Sequence, residues 1–523
     1  MKKITIIIFI ISFLIYRPYR LQDSGLKYDG DDDGYFAHAA AIAFLQFPSY
    51  DKEYGSHSKY PIGPGLLASP FVFAFSLIDR IKGSDIVHSR LDNSVNIKSW
   101  SLFGFVFSSI FYFWMSCLIA YKTLRIYYDE KYSVLAILLM VLIQGIPLYV
   151  FRRPLFAHVY EFFAQIVIVY LMALSCNSKK KDVSVSRILL ICLMVYAIGL
   201  IRYNNILIAL CWPLAVFAVR DGEWKLMQNR KPIILSYIIC VLPILIGIVL
   251  SITKGIVLEK WLSISESFHV LINGAMSLPF IYYVKRIIYV IFGPDWGLAY
   301  TAPFLIVAIV SIIYFKSAYN KMFIIPLIPV TINFFLLVMA WSNQASWYGY
   351  RYISFVIMPL MILPLADALK RVEDNFGKKV YVVIIFVSLF PLFSMLCFEG
   401  NPTTLTLHAI PSAPFRGCAN GNLTYQLEVW KAMLFDPVGF FIVLFKGGLL
   451  YCVYLVSLLT KTTHLLPSIV FEKYPHFDSS VLIKSLIIYL APFVFYTIRE
   501  LVITRRSIFV LGDTVHNTQI KEI

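Results

Sequence analysis

Apolar runs of helical length recur almost from end to end of the chain, separated by short polar stretches. They cover roughly residues 4–18, 100–121, 132–150, 157–174, 187–201, 204–219, 233–252, 297–315, 322–340, 352–369, 379–398, 437–459 and 482–503. A further run, 63–79, contains Pro64 and Pro70 and follows a polar loop. Backbone groups cannot be left unpaired in lipid, so helices are the spanning element such runs imply. The pattern predicts an all-α fold, a polytopic transmembrane helical bundle embedded in a lipid bilayer.

Charge placement sets an expected topology. With Lys2 and Lys3 inside, the polar stretch Arg17–Tyr60 lies outside. A full span over 63–79 would then put Lys179–Lys181 outside, against the positive-inside bias. An interfacial helix at 63–79, in the first outer loop, instead places Lys122, Arg125, Lys131, Lys179–Lys181, Arg220–Lys231, Lys316, Lys321 and Lys370–Lys379 inside. That solution has about 13 spans. The tail beyond Arg505-Arg506 fits it poorly. It also brings Arg17–Tyr60, Phe151–His158, Arg202–Asn205, Pro294–Tyr300 and Ser342–Arg351 to the outer face. These are the segments that interrupt apolar runs with residues suited to chemistry.

Composition agrees with the membrane class: 59% of the 523 residues are hydrophobic, 16% aromatic and only 15% charged, a balance outside the range of soluble domains. The net charge of +16 is carried largely by loop Lys and Arg that orient the spans, so it does not imply a nucleic-acid partner. The eight Cys form no CxxC or zinc-like spacing. Cys117, Cys192, Cys211, Cys240 and Cys452 lie within apolar runs and read as small apolar residues. The run behind Met1-Lys2-Lys3 ends at Arg17-Pro18-Tyr19-Arg20, without a small-residue cleavage site, and reads as an uncleaved first span.

Four carboxylates, Asp29, Asp31, Asp32 and Asp33, crowd the segment Tyr28–Tyr35. Crowding raises carboxylate pKa values and produces a general base, or else the cluster binds a divalent cation; a solvated acidic turn is the plainer reading. Lys59-Tyr60-Pro61 leads into the 63–79 run, where a Lys can meet a phosphate or merely snorkel. Arg152, Arg153 and His158 form an anion-binding pattern, with Glu161 one helical turn beyond His158 and able to orient it. Arg202, on the outer side against the charge bias, points to a bound anion or an internal carboxylate. Trp347 to Arg351 suits stacking on a sugar ring and pairing with an anion, or an interfacial aromatic belt. Asp295, in Gly293–Leu298, reads more simply as a helix start. There is no Gly-rich nucleotide loop, HExxH or GxSxG, so nucleotide-driven chemistry is unsupported.

In this order, Asp31-Asp32-Asp33 with Gly34-Tyr35, Lys59-Tyr60-Pro61, Arg153-Pro154 to His158, and Trp347 to Tyr352 resemble the GT-C superfamily of membrane glycosyltransferases. Within it they resemble bacterial relatives of the protein O-mannosyltransferases and the aminoarabinose transferase. The triple Asp departs from the family's simple acidic pair. The resemblance covers roughly 1–370, which it makes a GT-C-like catalytic membrane module, leaving 371–523 as additional transmembrane helices with a small outer loop at 399–436. It implies an extracytoplasmic site in a bacterial plasma (inner) membrane, a polyprenyl-phosphate-linked sugar as donor, and a glycan, lipid or protein as acceptor. Asp31, Asp32 or Asp33 would be the base of an inverting hexosyl or pentosyl transfer. Lys59, Arg152, Arg153 and Arg202 would hold the donor phosphate, and Tyr35, Tyr60, His158, Trp347 and Arg351 the substrate pocket. No cofactor is required, with a divalent metal at the Asp cluster as an alternative. A flippase or transporter for lipid-linked glycans would place charges near span midpoints, where the runs read as clean. A polymerase would gather its basic residues in a large late loop, yet 399–436 holds only Arg416 and Lys431.

Overall fold

The computed structural model describes residues 31–46, 60–83, 99–142, 146–151, 154–177, 185–202, 205–220, 223–254, 279–293, 297–314, 320–340 and 351–388, with scattered single positions elsewhere. These residues are mostly helical. In chain order the elements are α1 (Asp31–Ala43), α2 (Gly63–Ile81), α3 (Trp100–Leu124) and α4 (Glu130–Ile137), the last running into a wide π turn at Leu138–Leu142. Then come α5 (Ile146–Phe151), α6 (His158–Cys176), α7 (Val185–Ile201) and α8 (Ile206–Ala218). A small ribbon, β1 (Val219–Arg220) and β2 (Glu223–Trp224), pairs antiparallel with Val219 opposite Trp224. After it follow α9 (Arg230–Lys254), α10 (Phe280–Phe292), α11 (Leu298–Thr301), α12 (Pro303–Tyr314), α13 (Asn320–Ala340) and α14 (Arg351–Ser388).

Three of these helices, α2, α3 and α6, are long and apolar enough to cross a membrane. Shorter apolar helices cover Val185–Ile201, Ile208–Ala218, Pro303–Ile313 and Phe323–Phe335. The thirteen expected spans are not reproduced among the described residues. The bundle is organised around α6, which packs against α3, α7, α8 and α14. Its core is aliphatic and aromatic: Phe103, Phe105, Phe113, Tyr160 and Trp212 are fully buried, and Tyr112 packs on Phe163 with ring centroids 4.7 Å apart. On α9, Ile234, Leu235, Ile238, Val241 and Leu242 stay exposed, as suits a surface facing lipid.

Helix ends are fixed by specific partners. The start of α3 is capped twice. Ser99 accepts from the Leu102 amide at 3.3 Å, and the buried Asp79 carboxylate at the end of α2 accepts from the amides of Trp100 at 2.8 Å and Ser101 at 2.7 Å. From that joint α2 runs back along α3, with Phe75 meeting Trp100 and Phe107, Phe71 meeting Phe107 and Phe111, and Leu67 accepting from the Tyr112 hydroxyl. The sequence places 63–79 flat along the membrane surface. The packing is instead lengthwise and antiparallel to α3, because the aromatic stripes of both helices interlock along their lengths.

Other expectations also change in detail. Asp31–Asp33 open a helix rather than sit in a loop, since acidic residues favour a helix start and the alanines that follow favour its interior. The stretch between the runs 233–252 and 297–315 contains α10, whose central Lys285 and Arg286 interrupt its apolar pattern. The run 132–150 is broken by the π turn. The runs 352–369 and 379–398 join across a kink at Gly377, which has φ 78° and ψ 172°.

Candidate functional site

Described parts of several sequence-marked segments meet where α1, α2 and α6 start and α7 ends. The start of α1 arrives there, and Gly34 lies so close to the Tyr60 ring that a Cβ on it would overlap that ring. Tyr35 meets Tyr60 edge to face, with centroids 5.7 Å apart. His38 Nε2 lies 2.9 Å from the Tyr60 carbonyl. Two residues past Pro61, Gly63 backs onto the main chain of Leu200 and Ile201 at the end of α7; a Cβ there would sit 2.5 Å from the Ile201 nitrogen. The next residue is Arg202.

Arg202 is drawn inward, 8% exposed, against Glu161 and His158 in the first turn of α6, both fully buried. Its Nε lies 3.3 Å from Glu161 Oε2, and its Nη2 lies 3.0 Å from His158 Nδ1 and 3.1 Å from Nε2. The Asn205 amide donates to the other oxygen of Glu161, and its own carbonyl oxygen accepts from Asn333 Nδ2 of α13 at 3.2 Å. His158 stands 4.7 Å from the Tyr149 ring and stacks 6.0 Å from Phe156. One helical turn deeper, Gln165 accepts from the Trp212 indole at 3.0 Å. Charges buried in an apolar bundle are tolerable only when paired and hydrogen-bonded; Glu161 and Arg202 are paired and each is hydrogen-bonded through one group, but Glu161 Oε2 and Arg202 Nε face each other without a hydrogen bond.

The turn that leads into His158 is also tied down. Ser109 donates to the Pro154 carbonyl, and the Tyr160 hydroxyl lies 2.5 Å from Ser108 Oγ and 3.3 Å from Ser109 Oγ. Thus α3 holds the segment that follows Arg152 and Arg153.

Of the sequence-marked residues, the structure brings Tyr35 onto Tyr60 and His158 onto Arg202, the two pairs linked by Gly63 against Ile201, and the backbone of Asp31, Asp32 and Asp33 opens the helix that carries Tyr35. For Arg202, the internal carboxylate is the partner observed. The side chains of Asp31, Asp32, Asp33 and Arg351 lie outside the described residues, as do Lys59, Arg152, Arg153, Asp295 and Trp347 altogether. Among the described residues no group of three or more His, Cys, Asp or Glu is arranged to hold a metal ion. The sequence reading missed Gln165, Trp212 and Asn333. The available signal was a lone amide within an otherwise apolar run, which Gln165 and Asn333 both provide.

No family model matches the sequence, and no curated protein matches it. Solved structures with some likeness come from the archaeon Archaeoglobus fulgidus. Its oligosaccharyltransferase in the apo form is 11% identical, with 79% of this chain and 61% of that chain covered at a TM-score of 0.38. The same protein with Zn and sulfate is 13% identical over 79% and 58% of the two chains, at 0.38. The oligosaccharyltransferase AglB, in complex with an inhibitory peptide and a dolichol-phosphate, is 12% identical over 85% and 55%, again at 0.38. This chain therefore spans about six tenths of their length. A TM-score of 0.38 is too low to define a shared fold, and the functional reading rests on this chain's own residues.

Proposed function

We propose that the chain is a GT-C-like membrane glycosyltransferase, moving a sugar from a polyprenyl-phosphate donor to an envelope acceptor at the extracytoplasmic face. The observation that carries this reading is the convergence, where α1, α2 and α6 start, of the Asp-led start of α1, Tyr60 and the Arg202–His158–Glu161 cluster. A donor with a long lipid chain must be met within the membrane boundary, and a junction of helix starts that joins a cation, aromatic rings and an Asp-led helix fits its phosphate and sugar.

In this reading one carboxylate of Asp31, Asp32 or Asp33 takes the proton of the acceptor hydroxyl. The acceptor oxygen bonds to the anomeric carbon from the face opposite the phosphate. The bond from that carbon to the phosphate oxygen breaks, its electron pair leaves with the polyprenyl phosphate, and the configuration inverts. Arg202, together with Lys59, Arg152 and Arg153, offsets the charge growing on the leaving group. Tyr35, Tyr60, His158, Trp347 and Arg351 line the sugar pocket. Residues 1–370 form the catalytic module and 371–523 additional membrane helices. No step is routed through a metal ion.

Glu161, in the first turn of α6, and Arg202, just past α7, sit at helix ends, not at the midpoints a transporter would use. The test uses purified wild type and an Asp31/Asp32/Asp33→Asn variant, each given radiolabelled polyprenyl-phosphate sugars and envelope extract. Label passes to a product with wild type and not with the variant. Equal transfer by both removes the Asp cluster from the mechanism, and no transfer across a full donor panel removes the glycosyltransferase reading.

A further inference from the structure

The most unusual feature of the described bundle is its buried polar relay from Arg202 through Glu161 and Asn205 to Asn333. A buried ion pair is rarely more stable than well-packed apolar residues of the same volume, so bundle stability alone does not explain it. The relay has a direction. Asn333 lies inside α13, Asn205 starts α8, Glu161 belongs to the first turn of α6, and Arg202 follows Ile201, whose backbone abuts Gly63 at the start of α2. It crosses the helices laterally, from α13 through the starts of α8 and α6 to a cation just past α7, beside the start of α2.

One oxygen of Glu161 accepts from Asn205, and the other faces the Arg202 Nε at 3.3 Å as an ion pair outside hydrogen-bond geometry. The Arg202 Nη2 is set against the His158 ring, itself wedged beside Tyr149 and Phe156. A long guanidinium side chain has many rotamers, and fixing it in advance removes the ordering cost from ligand binding. We propose that Glu161, backed by Asn205 and Asn333, is a positioning residue that holds Arg202 for the phosphate of a lipid-linked ligand. This deepens the glycosyltransferase reading and rests on it for the identity of the phosphate.

The sign of one measurement separates positioning from simple charge. Removing the Glu161 charge by Glu161→Gln leaves Arg202 with less compensation, so electrostatics alone makes anion binding tighter. Positioning makes it weaker. The probes are decaprenyl phosphate and decaprenol, titrated against full-length protein in nanodiscs, with thermal stability measured in parallel. The expected result is about tenfold weaker decaprenyl phosphate binding in Glu161→Gln, the scale of the ordering cost of one long side chain, with decaprenol binding unchanged. Glu161→Asp recovers part of the loss, and Asn333→Leu gives a smaller loss of the same kind.

Unchanged or tighter phosphate binding in a folded Glu161→Gln overturns the proposal. If that variant does not fold, Glu161→Met/Arg202→Met replaces the pair by apolar volume; it is expected to fold and to bind phosphate and alcohol alike. A retained phosphate preference in the double variant also overturns the proposal. Wild type that binds decaprenyl phosphate no better than decaprenol refutes the donor reading itself, a separate outcome from the failure of Glu161 to position Arg202.

Discussion

Replacing Asp79 by alanine tests how far the α2–α3 joint governs the site at the other end of α2. The Asp79 carboxylate, 1% exposed, accepts from the Trp100 amide at 2.8 Å, the Ser101 amide at 2.7 Å and the Ser101 hydroxyl at 2.7 Å. The hydroxyl can turn to another acceptor, but the two amides belong to the first turn of α3 and have no carbonyl behind them. Each orphaned buried donor costs about 1–3 kcal/mol, and loss of a helix cap about 0.5–2 kcal/mol. These overlap, giving about 3–5 kcal/mol for Asp79→Ala. Asp79→Asn keeps one acceptor oxygen and should cost about half as much. Ser99→Ala, which loses a single 3.3 Å bond, should cost about 1 kcal/mol or less. SDS titration in mixed micelles measures the stabilities, and hydrogen exchange at Trp100 and Ser101 locates the change. Transfer activity should fall with Asp79→Ala, because α2 also positions Tyr60 and Gly63. An alanine variant within about 1 kcal/mol of wild type, with both amides still protected, refutes the reasoning.

Further expectations follow from single contacts. Gly34→Ala drives a methyl into the Tyr60 ring, an overpacking cost of about 1–3 kcal/mol; Tyr60→Ala in the same chain should recover most of that stability in the SDS assay. Gly377→Ala meets no neighbour within 4 Å but must adopt φ 78° and ψ 172°, a region open almost only to glycine, so it should cost about 1–3 kcal/mol by the same assay from backbone conformation alone. The Glu373 carboxyl is held below its usual range, chiefly by the hydrogen bond from Lys131, with Tyr132 adding a second. Its contribution is therefore present above the unfolded-state value and lost as pH falls through the depressed folded value. Lys131→Ala should raise the Glu373 titration midpoint in carboxyl NMR and flatten this acid limb of the stability profile.

The helical character and most element positions were legible in the apolar pattern: 100–121, 157–174, 187–201 and 322–340 lie within three residues of α3, α6, α7 and α13 at each end. Periodicity could not show where a run breaks internally, as at the π turn of Leu138–Leu142, nor reveal α10, where Lys285 and Arg286 divide the apolar stretch. The orientation of α2 depends on which aromatic faces interlock, a property of two helices together that neither reveals alone. At the site, Arg202 was marked by its charge in the wrong place, and Glu161 by its spacing from His158. Asn333 lies 128 residues from Asn205, and only folding makes them neighbours.

The close approach at Gly34 and Gly63 bears on how a saturation mutagenesis experiment on this chain should be read. Neither residue has a side chain to react, yet every replacement at either position would push a helix away from its neighbour. A survey scored on activity alone would rank both glycines beside the Asp cluster and invite a chemical role for each. Intolerance at Gly34 and Gly63 would be graded by side-chain volume and matched by loss of assembled protein at the membrane. Intolerance at a reacting carboxylate would depend on charge, with protein abundance preserved. Abundance and activity scored together would separate the spacers from the reagents.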